Sequence, residues 1–256
     1  GTLSKYDRLN IPKKGFFWAD PFIFKAKNIN YIFFESYSYK DKIGKIYVGE
    51  YKNKKIINIR QVLKKNYHLS YPFVFTYKKK IYLIPETHEK KRWEIYIAEK
   101  FPYKWRLYSY GFEGLILSDA TLLIKKNIIW LFVNEAKNSK DELNKNLNIY
   151  RLQNLKLKKY KKHKLNPVMK SEYGGRNAGR IFKLKNKIYR PAQISVKNHY
   201  GKGIILFEII KLNNEEFIQK KIFEIKAEQL SKKYHGIHHL DISNNLIATD
   251  ICLKKF

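Results

Sequence analysis

The sequence predicts an all-β chain, residues 1–256 forming one domain, a single five-bladed β-propeller with antiparallel four-stranded blades. Three observations carry that prediction. Apolar residues come in runs of four to seven, rich in β-branched and aromatic types and separated by Lys, Asn, Asp and Gly, the pattern of many short antiparallel strands. No segment sustains a helical period over several turns, and the nearest candidates, Asp141 to Asn146 and Ala227 to Lys233, are short. One phrase also recurs along the chain: a strand with a polar residue near its start, then a second strand with another polar residue at its end.

Residues 1 to 16 are polar and basic and read as a lead-in that closes against the last strands. The first copy of the phrase is Phe17-Trp18-Ala19-Asp20-Pro21-Phe22-Ile23-Phe24, followed by Tyr31-Ile32-Phe33-Phe34-Glu35. The second is Leu69-Ser70-Tyr71-Pro72-Phe73 with Ile81-Tyr82-Leu83-Ile84-Pro85-Glu86. The third is Leu117-Ser118-Asp119-Ala120-Thr121 with Ile129-Trp130-Leu131-Phe132-Val133-Asn134. The fourth is Asn177-Ala178-Gly179-Arg180-Ile181-Phe182 with Ile188-Tyr189-Arg190-Pro191-Ala192-Gln193. A degenerate fifth copy fits His238-His239-Leu240-Asp241-Ile242 and Leu246 to Asp250.

Eleven residues separate Asp20 from Tyr31, Tyr71 from Tyr82, Asp119 from Trp130 and Ala178 from Tyr189; four more reach Glu35, Glu86, Asn134 and Gln193. Asp20, Tyr71, Asp119 and Ala178 stand 51, 48 and 59 residues apart. Periods of this size, each worth about four strands, are those of propeller blades. Outer strands follow in each copy, around Ile46, Ile95, Ile149 and Ile205, and the blades begin near residues 17, 68, 116, 175 and 235.

In a propeller the first strand of each blade lines the central channel, so matching positions form a ring. The repeats therefore gather Asp20, Tyr71, Asp119, Ala178 and His238 at one mouth, with Glu35, Glu86, Asn134, Gln193 and Asp250 beside them. Carboxylates around a polar funnel suit glycosidic-bond chemistry, in which one protonates the leaving oxygen and another acts as base or nucleophile. Asp20 reads as the base or nucleophile, Glu86 as the proton donor, and Asp119 as a third catalytic acid or a sugar-hydroxyl ligand. Candidate substrate contacts are Trp18, Glu35, Tyr71, Asn134, Arg176, Asn177, Arg190, Gln193, His238 and His239. Trp18 can stack on a sugar or fill the core. Arg176 and Arg190, near the glycines of Tyr173-Gly174-Gly175-Arg176, can grip a carboxylate or phosphate in two-pronged fashion. The bland alternative is that Asp20, Glu86 and Asp119 bond backbone amides at strand starts.

His238 and His239 point to opposite faces of a strand, which argues against a metal held by that run, and no metal or cofactor is expected. The single cysteine, Cys252, excludes an internal disulfide and a cysteine metal cluster. No apolar run approaches the roughly 20 residues of a membrane span, and the first residues show no charged-then-apolar signal pattern. The formal charge of +31 has two readings: an anionic partner, or a Lys/Asn-rich composition with lysines scattered over solvated turns. No nucleic-acid motif appears, and no specific nucleic-acid partner is expected.

The phrases resemble known families. Trp18-Ala19-Asp20-Pro21-Phe22 opening a first blade resembles the five-bladed propeller glycosidases, the arabinanase, invertase and levansucrase clan. A closer resemblance is to the N-terminal propeller of glucosamine inositolphosphorylceramide transferases and their bacterial relatives. It rests on Ala19-Asp20-Pro21-Phe22, Phe33-Phe34-Glu35, His68-Leu69-Ser70-Tyr71-Pro72-Phe73-Val74-Phe75, Ile84-Pro85-Glu86, Phe101-Pro102-Tyr103-Lys104-Trp105, Asn166-Pro167-Val168, Gly174-Gly175-Arg176 and Tyr189-Arg190-Pro191-Ala192-Gln193. The resemblance carries Asp20 over as the blade-one aspartate. Where clan glycosidases have a second-blade aspartate this chain has Tyr71, and where they place an acid glutamate in blade three it has Asp119.

The resemblance implies a glycan-related role in building a surface polysaccharide or glycolipid. The expected partners are a glycan, nucleotide-sugar or glycolipid substrate, anionic ones included, a partner or fused glycosyltransferase domain, and peripheral contact with the cytoplasmic membrane surface. The expected location is cytoplasmic, peripheral at the inner membrane. Two functions follow: an enzyme that transfers or cleaves a glycosyl unit, or a non-catalytic propeller that presents a glycan to a partner glycosyltransferase.

Overall fold

A computed structural model describes residues 7, 9, 11–137, 140–196 and 199–253, the side chains of residues 140, 141, 199 and 200 excepted. The strands fall where the repeats place them. Blade one is β1 (Phe16–Ala26), β2 (Ile29–Ser38), β3 (Ile43–Lys52) and β4 (Lys55–Leu63), paired in that order. Blade two is β5 (Ser70–Tyr77), β6 (Lys80–Glu86), β7 (Trp93–Lys100) and β8 (Lys104–Gly111). Blade three is β9 (Ile116–Lys125), β10 (Ile128–Ala136), β11 (Asn146–Leu152) and β12 (Tyr160–Lys162), with β13 (Met169–Lys170) added on β11. Blade four is β14 (Tyr173–Asn177) and β15 (Phe182–Leu184) on β16 (Lys187–Val196), then β17 (His199–Leu212) and β18 (Phe217–Lys226). All pairings are antiparallel.

The fifth copy corrects the expectation of five equal blades. After a single helical turn, α1 (Ala227–Leu230), the chain forms β19 (Tyr234–Gly236), β20 (Leu240–Ser243), β21 (Leu246–Thr249) and β22 (Cys252–Leu253). These pair as two separate two-stranded ladders, β20–β21 and β19–β22. Strands of two to four residues offer too few ladder bonds to build a four-stranded sheet, so four complete blades form and the fifth position holds a short wedge. The other short candidate, Asp141 to Asn146, is covered by a 3₁₀ turn at Lys140–Asn144. Of the lead-in, residues 1–6, 8 and 10 lie outside the described residues. Asp7 pairs with Lys54 at 3.1 Å, and Leu9 packs with Trp18, Ile32, Phe34 and Ile56 on blade one.

Alternation along each strand sends one set of side chains to each neighbouring blade. Phe33, Ile46 and Val48 of blade one join Phe73, Leu83 and Trp93 of blade two and Leu122, Leu131 and Tyr150 of blade three in one buried cluster. Trp130, Phe132 and Ile149 meet Ile181 and Ile209 between blades three and four. Ala178, Ile204, Ala227 and Ile237 seal blade four to the fifth wedge. Phe22 and Phe33 are fully buried, and cutting either to alanine costs about 3–5 kcal/mol by transfer and cavity terms.

Closure of the ring is polar. The Leu240 amide donates to the Ala178 carbonyl at 2.6 Å, and the Ile23 amide donates to Asp241 Oδ2 at 2.7 Å. Arg180 pairs with the buried Asp241 at 2.9 Å while donating to the carbonyls of Val74 and Ile23. One guanidinium thus ties blade four and the fifth wedge to blades one and two.

Candidate functional site

In each of the first three blades the inner ladder slips at the same point. Ala19 pairs with Glu35 and Phe22 with Phe33, so Asp20 and Pro21 oppose Phe34 alone. Tyr71 and Pro72 likewise oppose Pro85, between the pairs Ser70–Glu86 and Phe73–Ile84. Asp119 and Ala120 oppose Val133, between Ser118–Asn134 and Thr121–Phe132. The bulged residue is left-handed each time, with φ of 53° at Asp20, 46° at Tyr71 and 49° at Asp119. That conformation costs a non-glycine residue about 1–2 kcal/mol. A bulge re-aims its side chain and frees its amide from the ladder, and those freed amides decide what the site acids do.

The acids and amides of the second slot reach across to the next blade. Glu86 Oε2 accepts from the Asp119 amide at 3.1 Å. Asn134 Oδ1 accepts from the Asn177 amide at 3.0 Å, and Asp250 Oδ2 accepts from the Asp20 amide at 3.1 Å. In blade four Gln193 instead donates to Asp119 Oδ2 and the Asn177 carbonyl, and among the acids of this slot the one in blade one breaks the rule. The Tyr71 amide is taken by Asp20 Oδ2 at 3.0 Å, and Glu35 is left over. Its Oε1 is buried without a hydrogen bond, with His68 Nε2 3.4 Å away.

The remaining predicted residues sort by contact. Tyr71 OH donates to the Gly179 carbonyl at 3.0 Å and accepts from the Gly179 amide at 2.8 Å, a strut across the ring. Asp119 is gripped by Arg176, whose Nη1 also donates to Asn144 Oδ1 at 2.8 Å. Gln193 donates to Asp119 Oδ2 at 3.3 Å and to the Asn177 carbonyl at 3.0 Å. Asn134 donates to the carbonyls of Asn146 and Gly175. Arg190 is fully buried, donating to Asn177 Oδ1, the Gly174 carbonyl and Gln219 Oε1, with Phe207 under its plane. Trp18 lies against Phe34, ring centroids 4.8 Å apart, in the blade-one flank. His239 is buried between the rings of Phe22 and Tyr71. His238 bridges two carboxylates, Nδ1 to Asp250 at 3.0 Å and Nε2 to Asp20 at 3.4 Å.

Environment splits the four inner acids of blades one to three into opposite pairs. Burial opposes ionisation of Asp20, yet hydrogen bonds and charge from His238 and His239 hold its carboxyl far below the ordinary range. Burial also opposes Glu86, but His88 Nδ1 at 2.7 Å and the charge of Arg176 bring it down to about 2. Glu35 goes the other way: burial, then the negative charge of Asp20, push it well above the ordinary value. Burial pushes Asp119 up to about 7 against the pull of Arg176. Burial keeps His68 low, and its Nδ1 accepts from the Gly44 amide at 3.0 Å, so the neutral ring carries its proton on Nε2, facing Glu35.

Several of these groups were not singled out from the sequence. His68 stands three residues before the bulged Tyr71, in the loop leading into β5, and His88 two residues after Glu86, in a 3₁₀ turn. Gly44 is packed so that a Cβ there would lie 2.5 Å from Glu35 Oε1 and from the Leu69 carbonyl oxygen. The groups a ligand meets first are His68, His88, His238 and Arg176, whose side chains are 17%, 19%, 23% and 14% exposed. Asp20 and Glu35 lie just beneath at 9% and 5%. Donor atoms of Asp20, His238 and Asp250 lie within 4.8 Å of one another, close enough to share a cation, while the imidazole itself already links the two carboxylates.

Comparison with known proteins fixes the family. The model described as "Glucosamine inositolphosphorylceramide transferase 1, N-terminal" matches residues 6–251, and the chain belongs to this family. Glucosamine inositolphosphorylceramide transferase 1 of Oryza sativa subsp. indica is 32% identical over 236 residues, 88% of this chain and 31% of that protein. The Arabidopsis thaliana protein of the same name is 31% identical over 253 residues, 94% of this chain and 32% of its own length. The chain thus spans about a third of the length of these relatives. Among solved structures, a family 117 glycoside hydrolase from Zobellia galactanivorans superposes with a TM-score of 0.64 at 15% identity, covering 87% of this chain and 75% of that one. An endo-arabinanase from Bacillus licheniformis gives 0.60 at 14% identity, covering 95% and 91%. At such identities the likeness is one of fold.

Proposed function

We propose that the mouth of the ring handles carbohydrate and acts on a glycosidic bond, with Asp20 as the ionised base or nucleophile and Glu35 as the proton donor. The observation that carries this reading is the exception in the stitching. Glu86, Asn134 and Asp250 are occupied by a neighbouring blade's amide, whereas Glu35 is buried, raised in pKa and lacks a hydrogen bond on Oε1. Carboxyls whose surroundings push their proton affinities apart are the acid and base of such sites. Glu86 and Asp119, tied to His88 and Arg176, support the arrangement from blades two and three. The family supports a substrate built from an amino sugar and an inositolphosphoryl lipid.

The test is incubation of the purified chain with a nucleotide-activated glucosamine donor and inositolphosphorylceramide, with products read by mass spectrometry. Asp20→Asn and Glu35→Gln each lower turnover by about 10²–10⁴-fold while circular dichroism stays unchanged. Near-wild-type rates from either variant would sink the assignment.

A second reading is a propeller that presents a glycan to a separate transferase domain. It draws on the chain spanning only about a third of its relatives' length. That reading requires saturable glycan binding by the wild type with no product, and weaker binding of acidic ligands by Arg176→Ala.

A further inference from the structure

The mouth uses one face of the ring; the opposite face carries most of the exposed lysine-rich turns. Because Asp20 lies near the start of β1 and Glu35 near the end of β2, the β1–β2 turn sits at the far end of the blade. Antiparallel order sends the β3–β4 turn to that same side, and the other blades repeat it. The tips there are residues 25–29, 52–55, 78–80, 125–127, 156–159 and 183–187, and every lysine in them is exposed. Among the described residues Asp7 pairs with Lys54 and Glu208 with Lys187, while the acids of the β17–β18 turn on this side, Glu215 and Glu216, pair with Lys164 and Lys211.

Composition alone does not account for this placement. Five of these tips, all but 156–159, are tight hairpins with two successive left-handed residues, a conformation that favours Gly and Asn. Lysine takes both positions at Lys78 and Lys79, φ 47° and 61°, and one position beside Asn28, Asn53, Asn127 and Asn186 in the other four, with φ of 46° at Lys27, 61° at Lys54, 49° at Lys126 and 46° at Lys185. The fifth wedge solves the same turn with Asn244 and Asn245, φ 52° and 61°. A Lys/Asn-rich chain could have used asparagine throughout. In blades one to four it gives up local conformational preference and gains charge. Beside these tips stand exposed apolar side chains, Ile29, Ile57, Ile124 and Leu184, at 36%, 37%, 38% and 56% exposure.

From this we infer that the face opposite the mouth docks on an anionic lipid bilayer. A ring of turn tips is broad and nearly level, lysines supply point charges for lipid headgroups, and the flanking Ile and Leu can enter the headgroup layer as in interfacial binders. Single-stranded nucleic acid is held instead by stacking aromatics along a groove, which these tips do not present. Docked this way, the mouth faces away from the membrane, toward soluble ligands or a partner domain.

The experiment is vesicle co-sedimentation of the wild type and two fourfold variants. One variant is Lys27→Asn, Lys79→Asn, Lys126→Asn and Lys185→Asn. The other, on the mouth side, is Lys40→Asn, Lys42→Asn, Lys64→Asn and Lys232→Asn. Phosphatidylcholine vesicles with roughly one third phosphatidylserine, at about 0.15 M salt, bind the wild type, and plain phosphatidylcholine does not. The turn variant loses affinity roughly tenfold or more, whereas the mouth-side variant changes less than about twofold. Asparagine suits the left-handed positions, so the turn variant keeps or raises its melting temperature and a binding loss is not unfolding. The inference is overturned if anionic vesicles fail to bind, if the two variants lose equally, or if a DNA duplex is retarded at this salt while vesicles are ignored.

Discussion

Glu35 and Glu86 are the same residue type at the same register position of neighbouring blades, and they are almost equally buried, at 4% and 7% exposure. Their carboxyls nevertheless move in opposite directions. Glu86 receives the Asp119 amide, contacts His88 Nδ1 and lies within reach of Arg176, so its charged form is solvated by protein. At Glu35 the corresponding amide, that of Tyr71, is already held by Asp20, and the nearest donor is a neutral imidazole at 3.4 Å. The difference teaches that the repeat sets where an acid stands, while the next blade's free amide sets whether it is a staple or a reserve of protons.

Removing the staple gives the largest effect. Glu86→Ala leaves the Asp119 amide unbonded and strips a partner from His88 and Arg176, lowering stability by about 3–5 kcal/mol. Chemical denaturation of Glu86→Ala beside Glu35→Ala measures it, and an equal loss from both would erase the distinction between the two blades.

The pH dependence comes next. Glu86 is lowered from 4.5 to about 2, so the stability it contributes, roughly 3 kcal/mol, is full above 4.5 and lost as pH falls toward 2. Glu35 is raised, so its contribution is present below 4.5 and lost as pH rises through its folded value. Denaturation midpoints against pH should therefore lose part of their acid limb in Glu86→Gln and part of their rise-of-pH loss in Glu35→Gln. Identical profiles for the two variants would contradict the assignment.

The smallest effect is the stability of Glu35→Gln at neutral pH. The substitution keeps the shape and removes a carboxyl that is costly to ionise in place, so stability changes by less than about 1 kcal/mol. A loss comparable to that of Glu86→Ala would mean that Glu35 is itself a staple.

Much of the fold was legible because its signal is local. Alternating runs such as Tyr31 to Phe34 mark strands wherever they occur. The fixed eleven-residue step from Asp20 to Tyr31, from Tyr71 to Tyr82 and from Asp119 to Trp130 marks the same bulged hairpin three times over. The fifth copy was recognisable as a copy, but its strands are too short for a sheet, and that shortfall lies in ladder length rather than in pattern. The bland reading of the acids, bonding backbone amides, describes Glu86 and one oxygen of Asp20, and the two neighbouring histidines that complete the cluster, His68 and His88, carried no motif of their own.

By itself, then, the sequence determined the repeat, the strand order within each blade and the slots where Asp20, Glu35, Glu86 and Asp119 stand, because hydrophobic alternation and turn chemistry act over a few residues. Only the tertiary structure decided which acid is ionised and which holds its proton. Those states depend on donors brought from distant chain positions: His238 to Asp20, Arg176 to Asp119, His68 to Glu35. Through-space charge and desolvation leave no period in a sequence, and they are what separates Glu35 from its three stitched counterparts.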